Sequence, residues 1–160
     1  MESYEAVLNS IKAEVSFGNT TIHVYHPSKL SSGQIGYSIS PAGEFLVGDK
    51  DGDWRKTWLV IGYDETCGDP IFIDTSEEGY PVYTAIVGKG RWDPQRIAVS
   101  LVGFAHGLSA IAAVAQSREH PVALEQNPLT QSEKDNALAT IYQHNPNMDV
   151  SFWENILSNS

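Results

Sequence analysis

The sequence predicts an α+β fold in which helices cover one face of a mainly antiparallel sheet. Short β-rich segments bounded by turn residues cluster in the middle of the chain, and helical patterns occupy its two ends. With 160 residues, 41% of them apolar and 19% charged, the chain has the size and composition of one globular domain. Since no linker, repeat or low-complexity tract divides it, a single domain over residues 1–160 is predicted.

The N-terminal segment predicts a short amphipathic helix followed by a strand. The apolar residues on one helical face are Tyr4, Val7, Leu8 and Ile11. This helix is expected to end before the breaker pair Gly18-Asn19. Residues 21–26 (TIHVYH) are β-branched and alternating, which predicts a strand that stops at Pro27, whereas residues 29–34 have loop composition.

The middle of the chain predicts short strands joined by turns. Residues 36–40 and 44–48 flank a hairpin-like break, and Asp51-Gly52 is a favoured turn pair that would join 44–48 to the next strand. That strand, residues 57–64 (TWLVIGYD), is a near-continuous apolar run, which indicates burial on both faces. Further strands are predicted at 70–75 and 82–87, with turns at 64–69 and 77–81 and a polar loop at 89–96.

The C-terminal half predicts helices. Residues 97–115 are apolar enough to suggest a membrane span, but their large side chains form one stripe, which is typical of a helix on a core. The stripe comprises Ile97, Leu101, Phe104, Leu108 and Ile111, and Gly103, Gly107 and Ala110 would admit a close neighbour. Thr130 and Glu133 form a capping box for residues 132–144, with Leu138, Ile141 and Tyr142 facing inward. Asp149 is expected to cap a last helix with Phe152, Trp153, Ile156 and Leu157.

Charge is unevenly distributed along the chain. The formal net charge is −10, and residues 44–78 hold ten acids against three basic residues, a local net charge of −7. Such a segment repels nucleic acids and anionic membranes and attracts a basic partner. We therefore expect no nucleic-acid or membrane partner, although a merely solubilising acidic surface explains the same composition.

The stretch DKDGD resembles the first half of an EF-hand calcium loop. Asp49, Asp51 and Asp53 match its first, third and fifth positions. However, Trp54 stands where the loop requires glycine, and Val60 where it requires a bidentate glutamate. A negatively charged turn without a metal is therefore predicted.

No catalytic constellation is recognisable in the sequence, so neither an active site nor a cofactor is predicted. There is no GxSxG elbow, and the histidines His23 and His26 should point to opposite faces of a strand. The single cysteine, Cys67, favours a reducing compartment, and the N-terminus lacks an apolar signal region, so a cytoplasmic location is expected. His106 is interpreted as a core histidine, while an enzyme with His106 or His120 beside a carboxylate remains an alternative.

Residues 58–108 resemble the SUKH superfamily, and within it the SMI/KNR-like family. The elements that carry the resemblance are Ile61-Gly62, Gly68-Asp69, Ile71 to Asp74, Pro81-Val82-Tyr83, Trp92 and Val99-Ser100-Leu101 leading to Phe104. Leu101 stands where an aromatic residue is common in that family. The best-matched core is about 35–115, and the helical extension over 121–160 has no counterpart in the family pattern.

The resemblance implies an α+β fold without an active site and a protein-binding function. Bacterial members of the family are similar to cytoplasmic immunity proteins that bind and neutralise toxins, many of them basic nucleases, whereas fungal members are similar to signalling scaffolds. The predicted partner-binding residues are Asp49, Asp51, Asp53, Trp54, Glu77, Glu78 and Trp92. For Trp92, packing under the first turn of the long helix is an alternative.

Overall fold

A computed structural model describes residues 3–158, which form one six-stranded antiparallel sheet and six α-helices. The strands are β1 (Glu14–Phe17), β2 (Thr20–Val24), β3 (Trp58–Asp64), β4 (Pro70–Asp74), β5 (Val82–Thr84) and β6 (Gln95–Ala98). The helices are α1 (Tyr4–Ser10), α2 (Leu30–Gly33), α3 (Leu101–Ala115), α4 (Pro121–Gln126), α5 (Gln131–His144) and α6 (Ser151–Leu157). Neighbouring strands are consecutive in sequence, so the predicted α+β class is confirmed as a simple meander.

The two faces of the sheet bury different residues. Ile61 and Ile71 belong to the main core, which also contains the inward side chains of α3, α5 and α6. Val60 and Phe72 point the other way, into a second cluster of aromatic residues. The expectation that β3 is buried on both faces is therefore confirmed at its centre, since Val60 and Ile61 are 1% and 0% exposed.

The long helix α3 begins later than the sequence suggested. Its N-cap is Ser100, whose Oγ accepts a hydrogen bond from the Gly103 N–H at 2.9 Å. Ile97, assigned to the helical stripe, lies instead in β6, a strand missed because its first two residues are polar and exposed. Of the helices within residues 3–158, none has both the length and the apolar character needed to cross a bilayer.

The small residues of α3 allow two other helices to approach it closely. A Cβ at Gly103 would lie 2.5 Å from Oδ1 of Asn145, at the C-terminal end of α5, and one at Gly107 would lie 2.5 Å from the Trp153 ring of α6. Asn145 is fully buried, and its side chain accepts from the Val99 N–H at 3.0 Å and donates to the Gly103 carbonyl at 3.1 Å. Gly103 and Gly107 therefore allow α3 to pack closely against the C-terminal end of α5 and against α6.

The segment between β2 and β3 differs most from expectation. Residues 29–34 are not a loop but part of a 3-10 turn (Pro27–Lys29) and α2. The residues after α2 do not form the predicted strands 36–40 and 44–48, and strand-like pairing there is limited to two isolated bridges centred on Ile39. The strand β1 was also missed, and the Gly18-Asn19 breaker is the turn of the β1–β2 hairpin.

Gln34 explains why residues 44–48 do not join the sheet. Its side chain donates to the Val60 carbonyl at 2.8 Å and accepts from the Val60 N–H at 2.9 Å, as a neighbouring strand would. The other edge of β3 is occupied by β4. Because both edges of β3 are taken, the predicted hairpin through Asp51-Gly52 cannot form, although these two residues do make a tight turn in which the Asp53 N–H donates to the Lys50 carbonyl.

The C-terminal helices mostly follow the predictions. The Thr130–Glu133 capping box is present, and Asp149 accepts from the Ser151 N–H at the start of α6. Tyr142 is an exception, because 47% of it is exposed rather than facing inward. The connection between α3 and α5 is held by Arg118, which is 7% exposed and pairs with Glu133 at 3.0 Å.

Candidate functional site

The sheet face opposite the main core carries a cluster of aromatic rings, called here the aromatic cluster. Its members are Tyr25, Tyr37, Trp54, Trp58, Phe72, Tyr83 and Trp92. Trp54 lies at its centre, 1% exposed, with its ring centroid 4.7 Å from that of Phe72 and 5.2 Å from that of Trp58. The prediction that Trp54 presents its ring on the surface is therefore wrong, because the tight turn at Asp51-Gly52 directs the following chain back over the sheet.

Trp92 lies at the edge of this cluster and stays half-exposed. Its ring centroid is 5.3 Å from that of Trp54 and 5.6 Å from that of Tyr37. The backbone N–H of Trp92 donates to the Gly52 carbonyl at 2.8 Å. The ring belongs to the aromatic cluster on the face opposite α3, so the alternative of packing under the first turn of the helix is wrong. Part of its surface remains available for a partner.

The acidic turn, residues 49–53, lies against the loop that carries Trp92. Asp51 is exposed and forms an ion pair with Arg91 at 3.1 Å, and Arg91 also contacts Asp93 at 2.8 Å. The hydrogen bonds that the Arg91 guanidinium donates to these two carboxylates raise its pKa. Asp53 accepts from the Lys50 N–H at 3.0 Å, whereas Asp49 is exposed and forms no ion pair within the described residues. The negative charge of the turn is thus partly balanced at Asp51 and unbalanced at Asp49.

The second acidic pair, Glu77 and Glu78, lies on an exposed turn after β4. Glu77 accepts a hydrogen bond from the Tyr83 hydroxyl at 2.9 Å. Burial, and then this bond, raise the pKa of Tyr83 to about 12. Since the Tyr83 ring stacks on Phe72 beneath Trp54, Glu77 lies at the rim of the same aromatic cluster.

These contacts bring most of the predicted residues to one face. The acidic turn meets Trp92, Trp92 meets Trp54, and Trp54 reaches Glu77 through Phe72 and Tyr83. The exposed acids Asp49, Asp51, Glu77 and Glu78, together with Trp92, are called here the acidic rim. Trp54 provides the floor beneath the rim and is not one of its contact groups.

An exposed apolar group that precedes the acidic turn in the chain was missed by the sequence reasoning. Ile35, Phe45 and Leu46 are 49%, 84% and 46% exposed, and we call them the lobe tip. Phe45 and Ile35 both form bridges with Ile39, and the Leu46 N–H donates to the Ser38 carbonyl at 2.9 Å. No sequence signal could have revealed this group, because residues 44–48 have the composition of a half-buried strand.

Among residues 3–158, an ion-pair contact to a carboxylate is formed by His23 and not by His106 or His120. His120 caps α4, and its Nδ1 accepts from the Ala123 N–H at 3.2 Å. His106 is exposed, not a core residue, and stacks on His144 with ring centroids 3.7 Å apart. The His23 Nε2 lies 3.2 Å from Oε1 of Glu65, whose side chain is 61% exposed.

Metal and thiol chemistry find little support in the part of the chain that is described. Residues 3–158 contain no group of three or more histidine, cysteine or acidic side chains arranged to hold a metal ion. Desolvation raises the pKa of Cys67 to about 11, so the thiol is protonated at neutral pH. A protonated thiol is a poor nucleophile.

The residues that carry the family resemblance have structural roles. Gly62 lies at a β-bulge where a Cβ would collide with the His23 carbonyl, and Asp69 accepts from the Val87 N–H at 3.0 Å. Comparison with models of known protein families finds no matching model, and comparisons with curated proteins and with solved structures find no match. The candidate site is therefore defined by its geometry: an acidic rim and a lobe tip around a buried aromatic floor.

Proposed function

We propose that this chain is a non-catalytic binding protein that holds a basic protein partner through the lobe tip and the acidic rim. The observation that carries the proposal is the position of Phe45, which is 84% exposed a few residues before the acidic turn. A large exposed aromatic side chain next to charge is typical of an interface anchor. The adjacent carboxylates would favour a basic partner and accelerate its association.

The aromatic cluster supports this use of the surface. Trp54, Trp58 and Phe72 interlock with ring centroids 4.7 to 5.2 Å apart, which makes a rigid floor under the rim. A rigid floor lowers the entropy lost when a partner binds. The local charge of −7 between residues 44 and 78 adds long-range attraction that does not depend on the details of contact.

The finer proposal is that the partner is a toxin and the chain is its cytoplasmic immunity protein, of the SUKH type with SMI/KNR-like sequence. Its support is the resemblance over residues 58–108 together with the acidic rim, because nuclease toxins are basic where they bind phosphates. A scaffold of the same family would use the same surface for another protein. Protection of cells from a toxin separates the two roles.

The test searches the genes that neighbour this one for a toxin domain, purifies that domain and measures its association with this chain by stopped-flow fluorescence at low and high salt. The double variant Asp49→Lys/Glu78→Lys changes two exposed acids that make no ion pair within residues 3–158. We expect association to slow about tenfold or more at low salt and to lose salt dependence. Glu125→Lys/Glu154→Lys, the same charge change on α4 and α6, is the matched control and should have a smaller effect.

Two results would contradict the proposal at different levels. An association rate that is unchanged at low salt in Asp49→Lys/Glu78→Lys removes the acidic rim from the interface. Loss of Phe45 by substitution with alanine should accelerate dissociation about thirtyfold, as expected for an interface hot spot. If the complex forms but cells expressing the toxin are not protected, the immunity role is wrong and the scaffold role remains.

A further inference from the structure

A groove of about 400 Å³ lies on the helical side of the sheet, away from the acidic rim. It runs between α1 and α3 above the start of β1. Val7, Val15 and Leu108 form its floor and are 3% to 6% exposed, and Val102, 48% exposed, forms one wall. Its size lies at the small end of the range for ligand pockets, about 300–1,000 Å³.

The side chains that line this groove are basic or uncharged, although the molecule as a whole is acidic. The chain has 20 acidic and 10 basic residues, yet the groove is lined by Lys12 and His106 and by no carboxylate. Lys12 is exposed and forms no ion pair among the residues that the structure describes. An adjoining depression that shares Lys12, Val15 and Ala112 is lined by Glu14 and Glu119, so the basic lining is local to this groove, where Lys12 favours an anion over a cation.

His106 is held at the groove by a second histidine. Its ring stacks on that of His144 from α5, with centroids 3.7 Å apart and planes inclined by 8°. Stacking fixes the direction of the imidazole, so its ring nitrogens need little rearrangement to meet a ligand. Ser109, one turn further along α3, adds an exposed hydroxyl on the same side of the helix.

We propose that this groove binds a small aliphatic carboxylate. The alkyl chain would lie on the floor of Val7, Val15 and Leu108, and the carboxylate would meet Lys12 and His106. An alkyl ammonium ion is repelled by Lys12, and a neutral alcohol of the same length forms no ion pair with it. This site is independent of the proposed partner interface, which lies on the opposite face of the sheet.

The test titrates the full-length protein with octanoate, 1-octanol and octylammonium, following amide shifts by ¹H–¹⁵N NMR. We expect saturable binding of octanoate with shifts in α1 and α3, and weaker binding of the other two. Lys12→Met should weaken octanoate binding about fivefold, as expected for a partly exposed ion pair, and leave octanol binding unchanged. Lys56→Met, an exposed lysine beside the aromatic cluster, is the matched control and should change neither.

The proposal fails if octanoate produces no saturable shifts in α1 and α3. It also fails if octanoate and octanol bind equally, or if Lys12→Met and Lys56→Met have the same effect. A second variant, Ala112→Phe, fills the groove from α3 and should abolish binding while the remaining amide spectrum is retained. Should that variant unfold, the comparison between octanoate and octanol in the unmodified protein still decides the outcome.

Discussion

Gly107→Ala should destabilise the protein, although the same change in most helices stabilises it. Gly107 lies in the centre of α3, and a Cβ there would lie 2.5, 2.7 and 2.9 Å from three atoms of the Trp153 ring. The ring cannot move away easily, because Trp153 is fully buried and its Nε1–H donates to the Ile97 carbonyl at 2.8 Å. The added methyl group therefore forces either the indole or α6 to shift.

The magnitudes decide the sign of the effect. Replacing a helical glycine by alanine gains up to about 1 kcal/mol from helix propensity. Overpacking a dense core costs about 1–3 kcal/mol, and weakening the indole hydrogen bond costs about 1 kcal/mol more. The net loss of unfolding free energy should be about 1–3 kcal/mol, which lowers the Tm by about 2–12 °C.

Urea denaturation followed by far-UV circular dichroism measures this change. Ser109→Ala, an exposed position in the same helix, is the control and should be neutral or slightly stabilising. In a Trp153→Leu background the obstacle is smaller, so Gly107→Ala should cost less there than in the natural sequence. A Gly107→Ala protein as stable as the natural one would refute the close packing of α3 on α6.

Two further predictions concern the helical half of the fold. Asn145→Asp should lower the unfolding free energy by about 3 kcal/mol, because a buried carboxylate would face the Gly103 carbonyl to which the amide now donates. An unchanged urea midpoint would contradict this prediction. The pKa of Glu133 is lowered by the Thr130 N–H and by Arg118, so its contribution to stability is present above its ordinary pKa and lost as the pH falls through the lowered value. Glu133→Gln should remove this part of the acid dependence, measured as the difference in urea midpoints between pH 7 and pH 3, and an identical acid dependence would refute the stabilising role of the Glu133 charge.

Local features of this fold could be predicted from the sequence because their causes are local. The capping box joins Thr130 to Glu133 through backbone and side-chain groups three residues apart, so its residue types are sufficient. The strand β3 is similarly marked by a near-continuous apolar run. The buried stripe of α3 from Leu101 to Ile111 follows from helical periodicity alone.

The elements that were missed depend on contacts between distant residues. Residues 44–48 have strand composition, but Gln34 already occupies the edge of Val60 that they would need. Nothing in the residues around Gln34 distinguishes a side chain that replaces a strand from one in an ordinary loop. Ile97 was assigned to the wrong element for a similar reason. A buried isoleucine fits either β6 or the apolar stripe of α3, and only the pairing of the neighbouring Ala98 with Val82 decides between the two.

In the candidate site, the exposure of some residues follows from their chemical type, whereas that of others depends on packing. The acids remain near the surface because charged groups lose too much hydration when buried unpaired, so Asp49 and Glu78 could be placed from the sequence. Aromatic residues tolerate both environments, so the sequence predicted Trp54 as a partner-binding residue and gave no indication that Phe45 is exposed. In the structure Trp54 is 1% exposed and Phe45 is 84% exposed. An exposed phenylalanine contributes little to folding, while the buried Trp54 holds the chain that presents it, and this arrangement is what the proposed binding surface requires.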